Sequence, residues 1–313
     1  MILSLGDNNI TENKRIYISA YDDYQYHKYQ SAIDKLKTID LDHSNLKINH
    51  LIVKSLFHLK KYRQAEKNLL EMPDSYTNSV DDFNFMILVL LKNASFIKAR
   101  EITVSVNIET LKRDNLKQIV DYENNYSKKH SSTINELVKS FCSIVNQKLP
   151  FQKNELEKAL KLPLHQFVFA CKYLLTNPFL NPIMRISIFD ILRKIDLNEQ
   201  IEFLWIDHQR HLINPSNLKP LFETKSYLQL SKIVDSHYGH DDPMMTFRLN
   251  NLFNMQLLIL YPYNDRKINS AKLWFKITDS LFNDQQFNFK TKLEVEIWRQ
   301  QKKLDQIINK LTR

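Results

Sequence analysis

Tyr29-Gln30-Ser31-Ala32, Tyr62-Arg63-Gln64-Ala65 and Phe96-Ile97-Lys98-Ala99 repeat one pattern, an aromatic residue followed three positions later by alanine. The aromatics stand 33 and then 34 positions apart, and the alanines keep that spacing. Each tetrad follows a helical stretch and a polar turn (His27-Lys28, Lys60-Lys61, Asn93-Ala94-Ser95) and precedes a second amphipathic stretch. The pattern predicts a helix hairpin repeated three times over residues 12–110. In each unit the aromatic closes the turn and the small alanine lets helix B lie close to helix A. Such a unit cannot bury its apolar face alone and must stack on its neighbours.

Period and signature together resemble the tetratricopeptide repeat. Repeat 1 also has Ala20 at the small position of helix A, nine residues before its aromatic, where repeats 2 and 3 carry Val53 and Ile87. The larger side chains predict looser packing or a changed helix angle in those two. The proline that usually closes the repeat is missing, since Pro73 falls early. A fourth repeat fails, because His130 replaces the aromatic ahead of Thr133. The resemblance implies a groove lined by the A helices, with Tyr17 and Tyr21 from repeat 1, His50 and Lys54 from repeat 2, and Asn84 from repeat 3. It does not extend to the clamp that holds a peptide carboxylate in chaperone-binding members. The matching positions here are Tyr17, Tyr21, Leu51, Asp81 and Phe85.

Composition agrees with a helical chain. Of 313 residues only two are glycine, Gly6 and Gly239. Rossmann folds, P-loops and nucleophile elbows need several glycines at fixed offsets and cannot be built here. Asn-Gly and Asp-Gly turns never occur, which disfavours hairpin-rich β folds. The two cysteines, Cys142 and Cys171, lie in apolar helical runs and read as small buried hydrophobes rather than a disulfide framework. Met1–Asp7 has no basic leader, and the most apolar stretch, Leu252–Tyr261, is too short to span a bilayer. A cytoplasmic protein without membrane contact is expected.

The polar stretch Asp121–Ser132 reads as a domain seam, dividing the repeats (1–129) from a second helical domain (130–313). Thr133-Ile134-Asn135-Glu136 reads as a capping box opening a helix to about Gln147. Pro163, Pro182, Pro215 and Pro243 mark further starts, with helices expected near 163–176, 182–195, 217–236, 242–260, 268–283 and 290–311. Ile201–Asp207 and Arg210–Asn214, aromatic and β-branched, predict one small β-hairpin. The expected fold is therefore predominantly all-α: a degenerate tetratricopeptide-like superhelix, then a helical domain with a hairpin near 201–214.

Asn177-Pro178-Phe179-Leu180-Asn181-Pro182-Ile183-Met184-Arg185, the following helix and the strand-like run are similar in layout to a family of cytosolic tetratricopeptide-like proteins from low-GC Gram-positive bacteria. Arg185 stands where that family's pattern suggests lysine. The family carries no established activity, so the resemblance implies no catalytic residue.

No His-Glu-x-x-His helix, CxxC pair or Gly-x-Ser-x-Gly occurs. His237-Tyr238-Gly239-His240-Asp241-Asp242 reads as a helix end followed by an N-cap, not as a metal site, and His208 and His211 read as solvated turn residues. Neither an enzyme nor a cofactor is expected. Residues 266–313 hold 11 basic and five acidic side chains, +6 of the chain's +9. Lys290, Lys292, Arg299, Lys302 and Lys303 form the candidate basic patch beside Trp298. The expected function is a non-enzymatic module binding a protein or peptide in the repeat groove. The alternative is a nucleic-acid- or ribosome-associated protein using the basic C-terminal helices.

Overall fold

The computed structural model describes residues 4–39, 46–282 and 287–311. It is predominantly α-helical with one two-stranded antiparallel sheet. Two compact units account for the chain, one of residues 1–138 and 157–167, the other of 139–156 and 168–313.

The first unit opens with α1 (Ser4–Gln25) and α2 (Tyr29–Leu36), α3 (Leu46–His58) and α4 (Tyr62–Leu69), and α5 (Val80–Lys92) and α6 (Phe96–Val104). These are the three expected hairpins, and the repeated aromatic begins each B helix. Their turns share one geometry. His27, Lys60 and Ala94 adopt left-handed backbone, with φ of 61°, 57° and 55°. The next amide then reaches five residues back, from Lys28 to the Asp23 carbonyl (2.8 Å), Lys61 to Leu56 (2.9 Å) and Ser95 to Leu90 (2.9 Å). The left-handed residue itself bonds the Tyr24, Phe57 or Leu91 carbonyl. This is the Schellman closure, which normally recruits glycine. A chain almost without glycine makes it in all three hairpins with side-chain-bearing residues.

A Cβ in left-handed backbone costs about 1–2 kcal/mol. Lys60→Gly, at an exposed turn, should therefore raise stability by about 1 kcal/mol, read as a higher urea midpoint with an unchanged slope. Ala94→Gly should gain less, because the Ala94 methyl packs against the core.

Ala32, Ala65 and Ala99 are fully buried, and so are Ala20, Val53 and Ile87 at the facing position. The expected looseness at Val53 and Ile87 does not show as solvent access. Both join a cluster with Phe83, Phe96 and Ile119 that is continuous through the second and third hairpins.

After α6 comes α7 (Glu109–Lys129). The stretch expected as a seam is largely its C-terminal half, and α8 (Ser131–Cys142) begins within the first unit. The polar character was misleading because Glu123 is not solvated. It is 6% exposed and paired with Arg100 of α6. The helix expected to reach Gln147 ends at Cys142, followed by a 3-10 turn over Ile144–Asn146. An unexpected helix, α9 (Leu149–Ala159), follows.

Beyond it lie α10 (Leu164–Leu175) and α11 (Pro182–Lys194), the latter capped by Asn181, whose side chain accepts the Ile183 amide. The hairpin is present, β1 (Ile201–Leu204) pairing with β2 (Arg210–Ile213) in the register Ile201↔Ile213 to Leu204↔Arg210. A two-stranded sheet needs a helix to cover it. Phe203 supplies the contact, its ring edge-on to Phe189 of α11 at 4.9 Å. Pro215 opens a 3-10 turn instead of a helix, and α12 starts later than expected, spanning Lys225–Tyr238. Then follow α13 (Pro243–Leu260), α14 (Asn264–Lys267), α15 (Ala271–Phe282) and α16 (Lys292–Leu311). Asp242 caps α13, accepting the Met245 amide at 2.8 Å, as its sequence predicts.

Candidate functional site

The repeat spacing places Tyr17, His50 and Asn84 at one equivalent position of the A helices, and Tyr21, Lys54 and Leu88 one turn further on. Tyr17 is half-buried against Ala20, Ala32, Leu36 and Leu51. Its hydroxyl pKa is raised, by burial first and by Tyr21 second. Tyr21 is 45% exposed, its ring 6.5 Å from that of Tyr24. His50 stacks on Tyr76 at 4.0 Å, with Nε2 2.9 Å from Ser75 Oγ. Lys54 Nζ lies 4.0 Å from Asp82 Oδ1 and 5.9 Å from the centre of the Phe85 ring. Asn84 is exposed on α5, and its Oδ1 accepts from Asn115 Nδ2 of α7 at 2.9 Å.

The five candidates thus divide. His50 and Lys54 meet at one carboxylate, Asp82, in the first turn of α5. Tyr17 and Tyr21 neighbour one another on α1, and Asn84 stands apart with Asn115. Successive A helices are linked side chain to side chain, Tyr24 to His58 (3.2 Å) and His50 and Lys54 to Asp82, and α5 is linked to α7 by Asn84 and Asn115. The sequence reading missed Tyr76 and Asp82, on which His50 and Lys54 rest. Tyr29 stacks flat on His58 at 4.6 Å. A signal for Asp82 was present in Ser79-Val80-Asp81-Asp82, where Ser79 caps α5 and accepts the Asp82 amide at 3.1 Å. Of the five tyrosines from Tyr17 to Tyr29, Tyr17, Tyr24 and Tyr29 pack, whereas Tyr21 and Tyr26 are exposed.

Burial lowers the His50 pKa, against the opposing pull of Asp82 at 3.7 Å, with Lys54 adding to the lowering. The imidazole is therefore neutral at pH 7, and Lys54 is the cation facing Asp82. The folded pKa lies below the unfolded value of about 6.5, so between them the unfolded chain binds more protons. This contribution to stability is present above pH 6.5 and fades as pH falls toward the folded value. His50→Gln should lose less stability than wild type between pH 7.5 and 5.5 in paired urea titrations. Equal losses would contradict the assignment.

The basic patch belongs to a docked helix. Thr291 and Glu294 form the capping box that starts α16, Glu294 accepting the Thr291 amide at 2.9 Å and Thr291 Oγ1 accepting the Glu294 amide at 3.2 Å. Ile297, Gln301 and Leu304 are buried on one face, which packs on α13 and α15. Lys290, Lys292, Arg299, Lys302 and Lys303 are all solvent-exposed, and Lys302 Nζ sits 5.5 Å from the Trp298 ring centre. They form a charged outer face with a single ring contact, not a stacking platform.

Cys171 is buried and Cys142 only half-buried. Burial raises the pKa of both thiols, which holds them protonated and poorly nucleophilic. His211 is not the solvated turn residue expected. It lies in β2 with Nε2 2.9 Å from Asp207 Oδ2, beside the rings of Trp205 and Tyr263. Among the described residues no hydroxyl or thiol hydrogen-bonds this imidazole. Nor does any group of three or more His, Cys, Asp or Glu side chains among them suit a metal ion. No helix among them is long and apolar enough to cross a membrane. No protein-family model, no curated protein and no solved structure matches the chain.

Proposed function

We propose that this protein is a non-enzymatic cytoplasmic interaction module whose tetratricopeptide-like A-helix face takes up a peptide segment of a partner protein. One observation carries the reading. Successive A helices present an exposed tyrosine (Tyr21) and a partly exposed lysine (Lys54) at equivalent positions, with an exposed amide (Asn84) one turn before the next equivalent position, and Lys54 and Asn84 are each engaged by a neighbouring side chain, Asp82 and Asn115. Side chains fixed before binding lose little freedom on contact, which favours affinity. Tyrosine adds apolar area with a polar tip, and lysine adds a point charge. The matching ligand is an extended or helical peptide carrying apolar and acidic side chains.

The rival partner is nucleic acid, held by the outer face of α16. Salt separates the two, because phosphate binding weakens steeply with ionic strength. The test is capture from native lysate with and without nuclease, at low and high salt, by wild type and by Tyr21→Ala/Lys54→Ala. Nuclease-resistant, salt-tolerant capture that the double variant abolishes, with its melting temperature nearly unchanged, is the expected result. Neither side chain belongs to the core, so a variant that instead melts early and loses binding in proportion would overturn the reading. Capture lost on nuclease treatment would transfer the function to α16.

A further inference from the structure

Lys225, Gln229, Lys232 and Ser236 stand at i, i+4, i+7 and i+11 of α12, a spacing that puts all four on one face. That face and the residues that open α15, Asn269 to Lys272, border a cavity of about 640 Å3 in the second unit, half-open to solvent. Ile233 and Ala271 are its apolar contacts. Every other lining side chain is polar, and three are lysines, Lys225, Lys232 and Lys272. All three are exposed, so their ammonium groups are accessible to an incoming molecule. Among the described residues none of these three side chains has an ion-pair, hydrogen-bond or aromatic partner. No carboxylate belongs to the lining. The acid nearest in sequence to the α15 wall, Asp265, is committed to the start of α12, where it accepts the Lys225 amide at 3.1 Å and the Ser226 amide at 2.7 Å.

Three positive charges thus border one space with no negative charge in its lining, a concentration of potential that attracts anions. The first turn of α15 adds the positive end of its helix dipole to the same side. The Gln229 and Asn269 amides offer further donors, and so does the Ser270 hydroxyl, whose oxygen accepts the Leu273 amide and leaves its proton free. Ser236 is occupied, donating to the Ile233 carbonyl at 3.0 Å. We propose that this cavity binds a phosphorylated small molecule by a diphosphate group, the phosphate oxygens accepting from Lys225, Lys232 and Lys272 and the organic portion lying against Ile233 and Ala271. A diphosphate brings several negative charges and a full set of acceptor oxygens, the complement of a lining made of donors. A single carboxylate would leave most of the positive charge uncompensated. The volume falls within the range of ligand sites, about 300–1,000 Å3, and leaves room for an organic group beside two phosphates. The proposal is independent of the peptide reading and concerns a different unit.

The experiment is isothermal titration of the full chain with sodium pyrophosphate at pH 7.5 and low ionic strength, against sodium sulfate at matched ionic strength. Saturable one-to-one binding of pyrophosphate is expected, weakening as sodium chloride is added. Lys232→Gln/Lys272→Gln, one change on each wall, should weaken it by about tenfold or more, because two charge-assisted hydrogen bonds are lost. Ser236→Glu, which sets a carboxylate among the lysines, should weaken it as well, and it carries the test if the first variant fails to fold. Lys302→Gln/Lys303→Gln, on the outer face of α16, should bind as wild type does. Four results would each overturn the proposal: no saturable binding, equal binding of sulfate, undiminished binding by a folded Lys232→Gln/Lys272→Gln or Ser236→Glu, or an equal loss in Lys302→Gln/Lys303→Gln. Displacement of pyrophosphate by a single-stranded oligonucleotide at equal phosphate concentration would overturn it too, by assigning the cavity to a nucleic-acid backbone.

Discussion

Glu123→Ala should destabilise the protein by about 3–5 kcal/mol, the cost of leaving one member of a buried ion pair without the other. Arg100 and Glu123 are 8% and 6% exposed, and their contact is two-pronged, Nη2 to Oε2 at 2.6 Å and Nε to Oε1 at 3.1 Å. Glu123 Oε1 also accepts the Leu164 amide at 3.0 Å, joining α6, α7 and the start of α10. Alanine would strand a guanidinium in the core and an amide without an acceptor. Arg100→Met should lose a comparable amount by stranding the carboxylate. Arg100→Met/Glu123→Leu should recover most of the loss, because removing both charges removes the desolvation penalty with the attraction. A residual cost of about 1–3 kcal/mol should remain for the Leu164 amide. Urea midpoints of the two single variants and the double variant measure the cycle. A Glu123→Ala midpoint within about 0.5 kcal/mol of wild type, the range of ordinary surface substitutions, would show that the pair is solvated.

The same pair marks the boundary of what could be read from the sequence. Helix hairpins at a fixed period are local: the aromatic, the alanine three residues on and the polar turn sit within one stretch, and all three hairpins were legible from it. So was the short β-hairpin, whose first strand lies in the aromatic and β-branched run Ile201–Asp207. Arg100 and Glu123 stand 23 positions apart on different helices, and Glu123 lies among asparagines and lysines that are solvated. Nothing local separates a buried glutamate from an exposed one, so a helix was taken for a seam. Lys60 and Ala94 are the converse case. A polar turn was expected at each of these places, but with no glycine to mark it the sequence did not show which residue takes the left-handed position.

The candidate groove was legible by register and not by partner. Repeat spacing alone predicts that His50 and Lys54 share a face. It cannot show that Asp82 receives both or that His50 is neutral, because those depend on the fold of the segment joining α4 to α5. There Pro73 opens a 3-10 helix over Pro73–Thr77. Its early position, a defect against the repeat pattern, marks the connection that carries Tyr76 against His50 of α3.

Tyr76→Ala should accordingly combine the second large stability loss with a change at the groove. The side chain is fully buried, its hydroxyl donates to Asn49 Oδ1 at 2.8 Å, and Asn49 Nδ2 donates to the Asn68 carbonyl at 2.8 Å. Burial pushes the phenol pKa well above its ordinary value, so the hydroxyl remains a donor throughout the stable pH range. Truncation to alanine removes the ring and leaves a cavity, a loss of about 3–5 kcal/mol for an aromatic of this size. Tyr76→Phe keeps the packing and deletes only the donor, stranding Asn49 Oδ1, and should lose about 1–2 kcal/mol. The two variants part company at His50, whose imidazole is buried against this ring at 4.0 Å. Phenylalanine preserves the stacking and should leave the His50 pKa depressed. Alanine admits water to the imidazole and should let its pKa rise toward the ordinary value, with Asp82 now favouring the charged form. An NMR titration of His50 in both variants, beside their urea midpoints, tests packing and electrostatics together. A His50 pKa raised equally in both variants would mean that the hydroxyl network, and not the stacked ring, keeps this histidine neutral.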